Sequence, residues 1–248
     1  MTKALLLSII FILIAVPAIA GWVQTDSEGS TTFFSDGRIK ETTRGEPFYS
    51  VLDANKGTIL YVDTAKKRYA MDTVENFCSA IVAEMENAMQ QIPKEQRDEM
   101  ARMMGKGTNK TAPKVSVTKE GDGGTVAGYK TTKYRVTADG KLYEELWLTT
   151  DATLMKELGG LYTRVMKKFG KCMASIQSMG DLPVTPADSP EYKKLEQAGW
   201  ELKNKTYSFG EPHTHQILKL ERKSIPDSEF TVPAGYKKVP AMQILMQE

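Results

Sequence analysis

The sequence is short of cysteine, histidine and net charge, and the shortages of charge and of cysteine limit the class of protein. Its 248 residues include two cysteines and two histidines, with 33 basic residues against 31 acidic ones. Such a balanced chain has no long-range field to attract nucleic acid or an anionic membrane, so neither is expected as a partner. Two cysteines are too few for the disulfide framework of a small secreted domain. The chain is long enough to fold around a hydrophobic core instead.

Motifs of catalysis and cofactor binding are also lacking. The sequence has no G-x-S-x-G nucleophile turn and no H-E-x-x-H zinc helix. The segment Gly105-Lys106-Gly107-Thr108 lacks the spacing of a phosphate-binding loop and follows a helical pattern, so we reject it. Glu144 and Glu145 should point to opposite faces of a strand and be solvated. No catalytic residue and no cofactor are predicted, and an enzyme is the less favoured class.

Long apolar runs are lacking except at the start of the chain. Ala4 to Val16 are apolar apart from Ser8, Lys3 precedes them, and Ala18-Ile19-Ala20 has the small-x-small cleavage pattern. The run is shorter than the roughly 20 residues that span a bilayer. We therefore expect residues 1–20 to be a cleavable signal peptide and the mature chain, without a transmembrane segment, to lie in the periplasm, or outside the cell as the alternative. Removal of Lys3 leaves 32 basic residues (33 − 1) against 31 acidic ones.

What the chain does contain is two kinds of periodicity. Residues 21–71 alternate in short runs around Ser35-Asp36-Gly37 and Asn55-Lys56-Gly57, which predicts a meander of hairpins. Further strands are predicted over 114–149, with a turn at Gly121–Gly124, and over 201–209 and 215–222, after a short helix at 190–198.

Apolar residues recur at helical spacing in two places. The first stripe runs from Val74 to Ile92, with Asp72 as the expected N-cap, and the second runs from Leu154 to Ile176. The pattern predicts one α+β domain over 21–248, in which a broad antiparallel sheet is packed on one face by two long amphipathic helices.

Three stretches resemble a family of exported bacterial proteins classed as a domain of unknown function. They are Gly128 to Val136 with Glu145 to Leu148, the closing segment Phe230 to Tyr236, and the early segment Lys56 to Tyr69. That family is similar in layout to the lipoprotein carrier LolA. The resemblance implies an open half-barrel whose concave face is covered by the helices, with an apolar cavity between them. It implies a binding or interaction protein that holds a hydrophobic small molecule, such as a lipid or an acyl chain, and it does not identify a protein partner.

Ten side chains are the candidates for lining such a cavity, although plain core packing explains their pattern equally. They come from the first helix, the central strands and the second helix: Phe77, Ile81, Met85, Met89, Tyr129, Tyr134, Trp147, Tyr162, Met166 and Phe169.

A periplasmic metal-handling protein is the alternative function. Methionine thioethers, which are numerous on both helices, suit soft metals, and His213 and His215 point to one face of a strand. A solvated histidine pair and core methionines are the simpler interpretation. Cys78 and Cys172 each lie on an apolar helix stripe, so a disulfide between the helices and two buried thiols both remain open.

Overall fold

The computed structural model describes residues 18–96, 112–165, 167, 169–170, 172, 185–207 and 211–245. In this part of the chain twelve strands form one open sheet. Their bounds are β1 Ala18–Asp26, β2 Ser30–Ser35, β3 Arg38–Thr43, β4 Phe48–Asp53, β5 Thr58–Asp63, β6 Arg68–Thr73, β7 Val115–Val126, β8 Tyr129–Ala138, β9 Lys141–Thr149, β10 Trp200–Thr206, β11 His213–Pro226 and β12 Lys237–Lys238.

The sheet consists of two meanders joined by one long strand. The strand order is β12-β6-β5-β4-β3-β2-β1-β11-β10-β9-β8-β7. Strand β11 pairs through His213 to Gln216 with β10, and through Ile217 to Pro226 with β1. Apart from the parallel pair β12–β6, the pairings between these strands are antiparallel. The prediction of a broad, open antiparallel sheet is therefore confirmed.

The hairpins of the first meander turn where the sequence predicts. Asp36 and Gly37 have φ angles of 47° and 75°, the left-handed conformation that a tight hairpin turn requires. In the second meander the predicted turn at Gly121–Gly124 is wrong, because β7 continues to Val126 and turns at Ala127-Gly128. Two shifts of register against β8 absorb the extra residues as bulges.

Helix α1 spans Val74–Gln91. The expected N-cap, Asp72, is wrong by one residue: the Thr73 hydroxyl accepts from the Asn76 backbone N–H at 3.1 Å, and Asp72 instead accepts from the backbone N–H of Thr73. The helix ends at Gln91 because Pro93 pushes the preceding Ile92 into an extended conformation.

Helix α2 is composite. It begins with the turn Ala152–Leu154, passes through the π-helical turn Met155–Gly159, and continues through the described helical residues 160–165, 167, 169–170 and 172. Asp151 caps its start by accepting from the backbone N–H groups of Thr153 and Leu154, each at 3.0 Å.

The buried residues of α2 pack onto the centre of the sheet. Leu154, Leu158, Leu161 and Val165 are at most 9% exposed, at the three- and four-residue spacing of one helix face. Burial of each such side chain contributes roughly 1.5–3 kcal/mol. Their partners on the strands are Trp22, Phe34, Leu202, Ile217 and Leu220.

The opposite face of the first meander is covered by the end of the chain. Val23 and Phe33 point away from α2, because successive strand residues alternate, and they pack in the same cluster as Phe230. The 3₁₀ turn Asp227–Phe230 is held by Arg38 Nη1 to Asp227 Oδ1 at 2.5 Å and by Lys40 Nζ to Glu229 Oε2 at 2.7 Å. Two further short α-helices lie in the described part of the chain, α3 Pro190–Glu196 and α4 Ala241–Leu245.

Candidate ligand cavity

An apolar cavity of about 270 Å³ lies where α2 and α3 meet strands β9 and β10. The lining side chains are apolar or aromatic except for two carboxylates. They are Leu146, Leu148, Tyr162, Tyr192, Leu195, Glu196, Gly199, Trp200 and Glu201.

Local sequence explains how each element presents these residues. Leu146 and Leu148 alternate along β9 and so share a face, which packs against Leu195 of α3.

Helix α3 is fixed at its start by Ser189, whose hydroxyl accepts from the Tyr192 backbone N–H at 3.1 Å, and by Pro190 in its first turn. The short connection from α3 to β10 then carries Gly199 and Trp200 into the same space.

Gly199 and Trp200 shape the wall next to the sheet. A Cβ atom at Gly199 would lie 2.7 Å from the carbonyl oxygen of Thr149, so only glycine permits this approach of β10 to β9. The Trp200 ring packs edge-on against Phe34 at 6.3 Å and against Tyr162 at 6.2 Å between centroids. Tyr162 remains 46% exposed, which places it where the cavity meets solvent.

Three carboxylates around the cavity are less acidic than usual. Burial raises the pKa of Glu144 to about 7, and the charge of Glu201 adds to the rise, although Tyr192 Oη donates to Glu144 Oε2 at 2.5 Å. Burial also raises the pKa of Glu201. This effect outweighs the hydrogen bond from Asn204 and the charge of His215, which both lower that pKa. Burial raises the pKa of Glu196, against the opposing charge of Lys193. The cavity therefore combines an apolar interior with acidic groups at Glu196 and Glu201.

The structure distributes the ten candidate cavity residues over several sites. Tyr162 lines the cavity, and Tyr134 packs into the cluster of Leu146 and Leu148 beside it. Phe77 stacks on Tyr61 at 5.1 Å, and Trp147 lies beneath the ammonium groups of Lys133 and Lys203.

The remaining candidates lie away from this cavity or outside the described side chains. Ile81 is half-buried on α1, whereas Met85 is 38% exposed. Tyr129 packs against the α2 core cluster, and Phe169 lies between that cluster and the cysteines. The side chains of Met89 and Met166 fall outside the described residues.

The two cysteines are joined. Cys78 of α1 and Cys172 of α2 form a disulfide with their Cα atoms 5.5 Å apart, between Val74 and Phe169. The bond ties α1 to α2 at a buried position, both cysteines being 7% exposed. Of the two possibilities that the sequence left open, the structure has the disulfide.

The two histidines pair with acidic residues near the end of β1. His213 Nε2 lies 3.2 Å from Glu28 Oε1, and His215 Nε2 lies 3.3 Å from Asp26 Oδ2. Among the described residues, no group of three or more His, Cys, Asp or Glu side chains is arranged to hold a metal ion. The methionines at 100, 103, 104, 173 and 179 lie outside the described part of the chain.

Sequence reasoning missed most of the cavity. Tyr192 and Leu195 lie on the short helix that the pattern predicts at 190–198, but the period of that helix does not say which strands it packs against. Glu144 was expected in solvent and is 5% exposed. The usable signal was Trp200, a large aromatic next to the backbone of Gly199.

In the described ranges of the chain, no helix is long and apolar enough to cross a membrane.

The chain belongs to a protein family described as a domain of unknown function, DUF4412, whose model matches residues 58–236. The match runs from β5 to the segment after Phe230 and includes all the lining residues named above. It confirms the resemblance to a family of unknown function. A comparison with curated proteins found no match.

Proposed function

We propose that this protein is an exported binding protein that holds a hydrophobic ligand, such as an acyl chain of a lipid, between its sheet and its helices. The cavity formed by Leu146, Leu148, Tyr162, Leu195 and Trp200 carries the proposal. Binding sites for small molecules are concave and mostly apolar, with a few polar groups that orient the ligand. This cavity has that composition.

The size of the cavity limits the ligand. An engineered cavity of about 150 Å³ lined by apolar side chains binds benzene. The present cavity, at about 270 Å³, has room for a somewhat larger group, such as one short alkyl chain or a ring with a substituent. We propose that the part of a longer ligand that does not fit projects out of the cavity past Tyr162, which is partly exposed at the cavity mouth.

The open sheet, with α2 packed on one face, supports the further proposal that the fold is a LolA-like half-barrel whose concave face is covered by α1 and α2.

Location in the periplasm, with secretion as the alternative, belongs to the same proposal. It is supported by the basic, apolar and small-x-small segments of residues 1–20. The intact mass of protein recovered from the cell envelope tests it: a chain that begins at Gly21 is expected, and an uncleaved chain would contradict export by this signal.

Binding can be tested with the neutral probe 1-octanol and with shorter and longer alcohols. Each buried methylene contributes about 0.8 kcal/mol, so affinity should rise about fourfold per added carbon until the cavity is full. The variant Leu148→Phe places bulk in the cavity and should weaken binding. Leu142→Phe makes the same change at an exposed position of the same strand, and it should bind like the parent protein.

Calorimetric titration measures these affinities, and urea unfolding of both variants checks that they fold. The absence of saturable binding by any alcohol, or equal binding by Leu148→Phe and Leu142→Phe, would contradict the proposal.

A further inference from the structure

The charged side chains that line the cavity are all acidic. Glu196 and Glu201 are the charged side chains among the described lining residues, and Glu144 lies behind them under the Tyr192 hydroxyl. An apolar site for a fatty acid or another anionic amphiphile would need a cation to receive the carboxylate, because an unpaired charge is costly to bury.

The nearby cations are engaged elsewhere or point outward. His215 pairs with Asp26 at 3.3 Å. Lys193 lies on the exposed side of α3, although its charge acts on Glu196. The half-buried Glu201 carboxylate accepts from the neutral side-chain amide of Asn204 at 2.7 Å. The two lining carboxylates can therefore pair with a cation. The described side chains place no cation of the protein inside the cavity.

Aromatic rings complete the arrangement. Tyr162 and Trp200 pack edge to face at 89°, so their ring faces point in different directions, and both residues line the cavity. Ammonium groups bind to the faces of such rings, and more strongly when water is excluded. Carboxylates together with aromatic faces suit an organic cation.

We propose that the ligand is a cationic amphiphile, with a protonated amine bound between Glu196 and Glu201 and an apolar tail in the cavity. This inference rests on the proposed function, since it names the class of ligand for the same cavity. The tail contacts Leu146, Leu148 and Leu195. The head group lies at the mouth, beside Tyr162.

Three probes with the same tail isolate the head group: octylamine, 1-octanol and octanoate, titrated calorimetrically into the full mature chain at neutral pH. Octylamine should bind about tenfold more tightly than 1-octanol, because two partly exposed ion pairs contribute together about one factor of ten. Octanoate should bind more weakly than 1-octanol, because it meets carboxylates. The double variant Glu196→Gln/Glu201→Gln should lose the preference for the amine, so that octylamine binds no more tightly than 1-octanol.

The control is Glu191→Gln, which removes an exposed carboxylate from the first turn of the same helix and should leave the preference unchanged. Equal binding of amine and alcohol, or tighter binding of octanoate, overturns the cationic ligand and leaves the proposed hydrophobic site standing. Loss of the preference in Glu191→Gln also overturns it, because the effect would then be one of general surface charge. If none of the three probes binds, the proposed function fails together with this inference.

Discussion

Glu144 and Glu145 are consecutive residues of β9, and their side chains lie on opposite faces of the sheet with pKa values that move in opposite directions. Glu144 accepts from Tyr192 Oη at 2.5 Å, and Glu145 accepts from Tyr207 Oη at 2.6 Å. Burial favours a higher pKa for both carboxyl groups, and it raises the pKa of Glu144. At Glu145 the neighbouring Lys133 outweighs burial, so the pKa of Glu145 is lowered. The expectation that both are solvated is wrong, since they are 5% and 9% exposed.

The raised pKa of Glu144 makes stability depend on pH. Between the ordinary value of 4.5 and the folded value of about 7, the folded protein keeps a proton that the unfolded chain releases. The contribution of Glu144 to stability is therefore fully present below pH 4.5 and is lost as the pH rises through 7. The variant Glu144→Gln should remove this decline, which is on the order of 3 kcal/mol at most. Urea unfolding from pH 4 to pH 8 measures it.

Glu145→Gln is the matched control on the neighbouring residue. The pKa of Glu145 is lowered, so its stabilisation is present at neutral pH and is lost as the pH falls. At pH 7 this variant should be less stable than the parent protein by about 1 kcal/mol, because the Lys133 ammonium loses one of its two carboxylate partners. If both variants change the pH dependence in the same direction, the assignment of opposite shifts is wrong.

The disulfide should contribute strongly to stability. Cys78 and Cys172 are 94 residues apart in sequence, and closing so long a loop restricts the unfolded chain. Replacing both cysteines by alanine should lower the free energy of unfolding by about 3 kcal/mol. Reduction of the parent protein should give a similar loss, and the same reductant should leave the double variant unaffected. Unfolding curves that coincide with and without reductant in the parent protein would contradict this prediction.

The final segment of the chain should be held by Phe230 more than by its ion pairs. Phe230 is 6% exposed and packs beneath the Arg38 guanidinium, whose Cζ atom lies 4.5 Å from the centroid of the Phe230 ring. Phe230→Ala should cost about 3 kcal/mol or more, because it leaves a cavity in the core. Glu229→Gln breaks a partly exposed ion pair with Lys40 and should cost less than about 1 kcal/mol. Chemical denaturation ranks the two variants, and a larger loss from Glu229→Gln would show that charge dominates.

Two glycines, Gly160 on α2 and Gly199 in the cavity wall, should respond in opposite directions to alanine. Gly160 has the helical angles φ −64° and ψ −37°, and a Cβ atom there meets no other atom within 4 Å. Gly160→Ala should therefore stabilise the protein by about 0.5–1 kcal/mol. Gly199→Ala should destabilise it, since the new Cβ would lie 2.7 Å from the Thr149 carbonyl oxygen. Thermal unfolding checks the signs, and stabilisation by Gly199→Ala would show that β10 has room to move from β9.

Local elements were predictable because their signals are local. The hairpin at Asp36-Gly37 follows from residues that tolerate positive φ, and the end of α1 follows from Pro93. The turn predicted at Gly121–Gly124 was wrong because glycines serve bulges as well as turns. At Gly123 an added Cβ would lie 2.8 Å from Trp147 Cδ1, so this glycine allows a close approach inside the sheet rather than a reversal of the chain.

The candidate cavity was less predictable than the strands around it. Helical periodicity identifies Tyr162 on α2 and Leu195 on a short helix, but it carries no information on which surfaces meet. The disulfide is similar, because two apolar-stripe cysteines permit a bond and only the position of α1 beside α2 makes one.

The sequence by itself determined which segments form strands and which form helices, since backbone preference and side-chain periodicity depend on neighbours within a few residues. Only the tertiary structure decided that β11 lies between β1 and β10, that Phe230 covers the face opposite α2, and that Glu144 is buried while the next residue is paired with Lys133. These features depend on pairings between residues far apart in the chain. Burial and charge environment, on which the cavity and its acidic groups depend, exist only after those pairings have formed.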